Sequence, residues 1–405
     1  MEAQQPQPTP APRTAPPHLD ALDGIRCLAA LYVAVYHATG NAGYAGYTPQ
    51  FQSQLSTPML LLVRVLDFGI YAVPIFIVLS GFCLMLPLAR RNTLEIPGGV
   101  IGYLSRRAWR ILPAYYVTLF LSLGLIALVP MLQVPLGTAW DTKIPVTLGA
   151  FFSHLFLLHD FHTSWIYKIN GPMWSIAIEW QIYFLFPAVL LPLLRRTNIV
   201  VTVIVATVVG MLPHFLLPIG RNLDDSHFWF VGLFAMGMGA ALIAFSDDPR
   251  LTAYRTRVPW RAIGAVLVAG LLATMALERV WLDQYPFICD PLIGLAVMSW
   301  LVRYGVVLRQ GGKPLLIQRL AEAPALVKLG TFSYSIYLIH SPIQALVNVE
   351  TLRVPMSTDA RLALQICVVT PLAVFCAYLF YLVVERPSIQ LNERRRAALL
   401  HAPPI

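Results

Sequence analysis

Arg26 and His37 stand in "LDALDGIRCLAALYVAVYHA", residues 19–38, a stretch otherwise apolar enough to be a membrane helix. Their spacing is about three turns at ~3.6 residues per turn, so both side chains leave one helix face, about 16 Å apart along the axis. With Arg26 at the membrane interface, His37 falls near the middle of a ~30 Å hydrocarbon layer. An arginine at a helix end can snorkel to the headgroups. A histidine at the midplane has no such escape, and ionisable groups within spans mark functional sites by default. Histidine titrates near neutrality, which suits it to taking a proton from a reacting group. Such a helix joins a cationic anchor at one membrane face to a base deeper in.

Three further stretches carry groups of the same kind. In "YLSRRAWRILPAYY", residues 103–116, Arg107 and Arg110 are three apart and share a face, with Arg106 beside them. They serve as a topology anchor, and paired guanidinium forks also match phosphate oxygens. In "NGPMWSIAIEWQIYFLFP", residues 170–187, Glu179 lies about two turns inside a span, with Ser175 and Tyr183 one turn either side of it. A carboxylate at that depth needs a partner, expected from another helix. Trp174 fits either an interfacial aromatic belt or a pocket wall. In "LGTFSYSIYLIHSP", residues 329–342, Ser333, Tyr337 and His340 follow one face, as an interhelical hydrogen-bond seam or a pocket lining. Ser80 and Gly81 read as close-packing residues, and Glu385 as an interfacial ion-pair partner at a helix end set by Pro387.

Other chemistries find little support. His154, His159 and His162 are spaced by five and three, unlike the i, i+4 pair of a helical zinc site, so no metal is expected. There is no P-loop and no GxSxG. The five cysteines, Cys27, Cys83, Cys289, Cys367 and Cys376, show no metal or redox spacing and read as small buried apolar residues.

These groups must be positioned by a bundle of membrane helices. The chain of 405 residues is 57% hydrophobic and only 12% charged, about half the charged fraction of soluble domains. Its mean hydropathy is +0.66. Apolar runs recur along its length without strand-like alternation, which excludes an outer-membrane barrel. The net charge of +9 sits in short clusters beside apolar runs, the pattern of membrane topology and not of nucleic-acid binding. The fold class expected is all-α, a polytopic bundle of about ten transmembrane helices at 24–42, 67–89, 112–132, 173–194, 199–217, 228–245, 261–281, 286–308, 327–347 and 361–384. Segment 146–158 is too short to cross and is expected to be interfacial or re-entrant. With that choice the basic clusters fall on one face, which makes both termini cytoplasmic; Asp224, Asp225, Glu278, Asp283 and Asp359 fall on the other. Residues 1–18 read as a disordered Pro-rich cytoplasmic tail without the layout of a signal peptide, 19–390 as the membrane domain, and 391–405 as a short basic cytoplasmic tail. No internal repeat is visible, which weakens an inverted-repeat transporter. The rival reading is a proton-coupled transporter or flippase of a glycoconjugate, with His37 and Glu179 as its relay.

The stretches quoted above, together with "PIFIVLSGF" and the closing "VVERP", occur in an order that resembles the acyltransferase 3 family of integral membrane acyltransferases over about residues 19–390. The resemblance implies O-acyl transfer, commonly acetyl from cytoplasmic acetyl-CoA, to a hydroxyl of a carbohydrate or related acceptor such as an exported or surface polysaccharide. It places the protein in a bacterial inner membrane, with acyl-CoA as donor substrate and no permanently bound cofactor. Carried over residue by residue, it makes His37 and Arg26 catalytic, with Glu179 as the family's membrane glutamate, and Arg107 and Arg110 acyl-CoA contacts alongside Arg26. Some members carry an added hydrolase-like domain, which is not expected here. Trp180 stands where members more often have an acidic residue, so no second-acid role is assigned to it.

Overall fold

The computed structural model describes residues 19–42, 51, 53–217, 223–277, 285–310 and 316–401. The expected tail 1–18 and the acidic residues Glu278 and Asp283 lie outside the described residues.

Among those residues the architecture is helical. In chain order the main helices are α1 (Asp20–Ala42), α2 (Thr57–Leu66), α3 (Ala72–Arg90), α4 (Gly99–Leu128), α5 (Leu148–Leu155), α6 (Met173–Leu185), α7 (Ile199–Leu216), α8 (Phe230–Phe245), α9 (Pro249–Arg257), α10 (Trp260–Leu277), α11 (Pro286–Gln310), α12 (Pro324–Gly330), α13 (Ser333–Thr351), α14 (Thr370–Phe380) and α15 (Arg386–His401). Outward faces carry uncompensated apolar side chains, such as Ile204, Val208, Leu212 and Phe215 on α7. A run of that kind faces lipid.

Helix α8 is the centre of one half of the bundle. Fourteen of its 16 residues are buried, and it packs on α3, α11 and α7. Small residues make that possible. A Cβ on Gly81 of α3 would overlap the carbonyl oxygen of Phe234, and one on Gly237 of α8 would overlap that of Val78. The two backbones therefore meet directly, as membrane helices do where small residues face each other. In the other half α1 packs on α12 and α13, with Gly330 of α12 against the Asp23 carbonyl; Gly24 lies against the carbonyl of Ala321, at the end of the preceding short helix Leu316–Ala321.

Among the described residues, seven helices are long and apolar enough to cross a membrane, or eight if α8 and α9, bent by 97°, count as one broken span. The other two of the ten expected spans are present as helices that miss this criterion. Helix α10 is apolar but short within the described residues, and α13 carries Ser333, Ser335, His340, Ser341, Gln344 and Asn348, which lower its hydropathy. Several boundaries shift. The expected span 327–347 is broken at Thr331–Phe332, between α12 and α13. Pro387 does not end the last helix: a π-helical turn at Tyr381–Glu385 precedes it and the chain continues helically to His401. A widened turn leaves the proline ring room that an α-turn would deny it. Segment 146–158 holds only the eight-residue α5, about 12 Å long at ~1.5 Å per residue and too short to cross.

Candidate active site

Arg26 reaches Cys83 of α3, whereas His37 leaves α1 toward α13. The two helices are held in register by Gln344, whose Nε2 donates to the carbonyl of Ala34 at 2.8 Å. Ala34 is one turn before His37 and Gln344 one turn after His340, so this clamp brings two imidazoles together edge to edge. His37 Nδ1 lies 2.7 Å from His340 Nε2, with the rings near parallel at 8°.

The hydrogen bonds fix the tautomers. His340 Nδ1 lies 2.9 Å from the carbonyl oxygen of Ile336, which can only accept, so that nitrogen carries the proton. His340 Nε2 then holds a lone pair and accepts from His37 Nδ1–H. The basic nitrogen of His37 is therefore Nε2. His340 is fully buried and His37 only partly so. The outer nitrogen of the pair is the one left to meet a substrate.

A cavity of about 280 Å³ has Arg26, Arg107, Arg110, Ser175, Glu179, Tyr183 and Tyr337 in its walls, but neither His37 nor His340. It lies at the small end of ligand pockets, which run ~300–1,000 Å³. Tyr337 connects cavity and pair: its hydroxyl is 2.7 Å from Ser175 Oγ and its ring centroid 6.0 Å from that of His340. Three guanidinium groups against one carboxylate make the wall suited to an anion. Arg26 is tied to Asp23 at 3.3 Å and donates to Cys83 Sγ at 3.1 Å. Arg107 sits over the Tyr183 ring at 5.9 Å, and its buried Nε has no hydrogen-bond partner. Arg106 points away, donating to the Pro97 carbonyl at 2.7 Å.

Glu179 is bound within the cavity wall. Tyr183 Oη donates to it at 2.5 Å, and so does Ser80 Oγ. A partner one turn along its own helix is therefore present, contrary to expectation, because i and i+4 side chains on α6 meet directly. Ser80 is thus a hydrogen-bond donor to the site and not a packing residue, a part that falls to its neighbour Gly81. The Glu179 carboxylate makes no bond to His37 among the described residues, so any influence on the base runs through the cavity. Cys83 and Cys367 also depart from the buried apolar reading, the first accepting from Arg26 and the second being exposed. Trp180 packs edge-on against Phe184 at 5.1 Å and forms no part of the cavity wall.

Other singled-out residues lie apart. Trp174 turns away from this cavity into a second one. Glu385 is buried and accepts from Ser335 Oγ at 2.5 Å, not at the interface. His154 and His159 stack face to face at 3.8 Å and 9°, a geometry in which ring nitrogens do not converge on one ion. Burial pushes His154 down to about 4 and Asp160 up to about 6. No group of three or more His, Cys, Asp or Glu among the described residues could hold a metal.

The family model for the acyltransferase domain, acyltransferase 3, matches residues 19–382. Among curated proteins, the O-acetyltransferase OatA of Staphylococcus aureus, strain NCTC 8325 / PS 47, is 23% identical over 346 residues, covering 82% of this chain and 52% of the relative. OatA of strain COL matches to the same extent. The chain thus spans about half the length of the curated relatives it matches. No solved structure matches. The motifs that build the arginine-lined cavity and the histidine pair all fall inside the matched region, and the chain belongs to the acyltransferase 3 family.

Proposed function

We propose that the protein is a membrane O-acyltransferase that moves an acyl group, acetyl in the first instance, from cytoplasmic acyl-CoA to a hydroxyl of a carbohydrate acceptor such as an exported or surface polysaccharide. The observation that carries this reading is the arginine-lined cavity whose wall residue Tyr337 stands 6.0 Å, ring to ring, from His340, the hydrogen-bond partner of His37. The name O-acetyltransferase borne by the relatives supports acetyl as the group. The positive-inside pattern supports ten crossings in a bacterial inner membrane, with both termini and the arginine end of the cavity on the cytoplasmic side.

Each residue then has a task. Arg107 and Arg110, with Arg26, hold phosphate oxygens of the donor by charge-assisted hydrogen bonds. His37 Nε2 takes the proton of the acceptor hydroxyl as its oxygen attacks the thioester carbonyl. The new C–O bond forms, the C–S bond breaks, and the thiolate leaves as CoA after His37 returns the proton. His340 is a positioning residue: it accepts from Nδ1–H and keeps Nε2 free throughout. Glu179, held by Ser80 and Tyr183, offsets part of the arginine charge and bounds the space for the acyl group.

The test uses purified protein in liposomes, with labelled acetyl-CoA supplied on one side and a cell-envelope polysaccharide extract on the other. Label appearing in the polysaccharide with stoichiometric CoA release supports the reading. Polysaccharide or glycolipid crossing the bilayer with no CoA consumed would replace it with the transporter.

A further inference from the structure

A second cavity, of about 260 Å³, lies at the N-terminal end of α6. Val73 of α3 lines both cavities. Trp174 and Ser175, consecutive on α6, point one into each, since neighbouring helical positions diverge by about 100°. The Ser175 side is the wall hydrogen-bonded to Tyr337 beside the histidine pair. The second cavity is thus separated from the first by one layer of side chains.

Its lining is unlike that of the arginine cavity. Tyr167 and Trp174 present aromatic surface, the Trp174 ring being braced by His227 at 4.6 Å. Asp224, Asp225 and Asp290 supply carboxylates. Asp290 is 4% exposed, and only its Oδ2 is engaged, by Trp229 Nε1 at 2.8 Å; Oδ1 accepts from no described residue. An acceptor oxygen left unpaired at a cavity wall can take a donor from a ligand. Asp224 is fixed by His214 at 2.9 Å. With three aspartates and no arginine or lysine in its described wall, this cavity offers a CoA phosphate no cationic partner. Nor do the aspartates form a cation cage, since no metal-holding group of three exists among the described residues.

We propose that this second cavity is the acceptor subsite and takes a neutral pyranose unit, whose apolar ring face lies on Trp174 and Tyr167 while its hydroxyls donate to Asp290, Asp225 and Asp224. A sugar ring matches the lining on both counts: a C–H face for aromatic rings and a fan of hydroxyl donors for carboxylates. The acceptor would meet the acyl group across the layer holding Val73 and Ser175. This inference rests on the proposed carbohydrate acceptor and deepens it.

The test is saturation-transfer NMR on the full chain in lipid nanodiscs, with a panel of methyl glucopyranoside, galactopyranoside and N-acetylglucosaminide as probes. Wild type is expected to transfer saturation to ring C–H protons of at least one probe, and excess CoA is expected not to displace it. Trp174→Ala and Asp290→Asn should each weaken the signal at least tenfold, with Trp174→Phe restoring most of it. Acyl-CoA binding in the other cavity reports that each variant is folded. Binding unchanged in both Trp174→Ala and Asp290→Asn, or displacement by CoA, overturns this subsite while leaving a carbohydrate acceptor intact. No probe binding to wild type that binds acyl-CoA and acylates a non-carbohydrate alcohol overturns both.

Discussion

Removing His340 should slow the chemistry without weakening donor binding. In His340→Ala the His37 Nδ1–H loses the acceptor 2.7 Å away in a site that a fully buried side chain had filled. Leaving a buried donor unpaired costs about 1–3 kcal/mol, and that penalty now falls on the tautomer and rotamer that expose Nε2. At about 1.4 kcal/mol per tenfold, the productive arrangement is depopulated by roughly 5- to 150-fold. kcat should fall by that factor, and KM for acyl-CoA should hold because Arg26, Arg107 and Arg110 are untouched. His340→Gln can still accept through its amide oxygen and should recover most of the rate. Residues acting as one unit are non-additive, so His37→Ala/His340→Ala should be no slower than His37→Ala alone. Steady-state release of CoA with labelled acetyl-CoA reads all four proteins. Full kcat in His340→Ala, or a loss confined to KM, refutes the positioning role.

Arg107→Ala and Arg110→Ala should each raise the KM for acyl-CoA by roughly 10- to 150-fold at similar kcat, the loss of one hydrogen bond to a charged group being about 1.5–3 kcal/mol; donor titration against isolated CoA checks this. Gly81→Ala drives a Cβ into the Phe234 carbonyl, where no flexible side chain can give, so thermal stability in detergent should drop by about 3 kcal/mol, the upper end of overpacking penalties. Burial lowers Lys143 from 10.5 to about 8. Between those values the unfolded chain binds the extra proton, so the stability of wild type should rise as pH goes from about 8 to 10.5. Lys143→Met should be more stable at neutral pH and lack this rise, as thermal scans across the pH range would record.

Part of the site was legible because helical spacing places i, i+3 and i+4 side chains together, whereas Arg26 and His37, eleven apart, meet different neighbours. Arg107 and Arg110 share a cavity wall, as do Ser175, Glu179 and Tyr183. What periodicity cannot supply is the identity of a neighbour on another helix. His340 was visible as one of three residues on a face, but its pairing with His37, 303 positions away, depends on the Gln344 clamp and on glycine contacts at Gly24 and Gly330. The same limit hid Ser80, which looks like a packing residue beside Gly81 until Glu179 is seen across from it. Hydropathy failed where function put polar groups into α13, and a proline rule failed at Pro387 because a π-turn precedes it. The division between two cavities at Trp174 and Ser175 is a matter of one helical step, invisible to any reading by composition.

With His37 Nε2 as the base of an acyl-CoA-dependent transfer, single-turnover transfer of labelled acetyl to acceptor must depend on that side chain. Wild type should label the acceptor and release CoA in equal amounts, and His37→Ala should be slower by about 10²- to 10⁴-fold, the usual contribution of a general base, while binding acetyl-CoA normally. Transfer at the wild-type rate in His37→Ala would contradict the account.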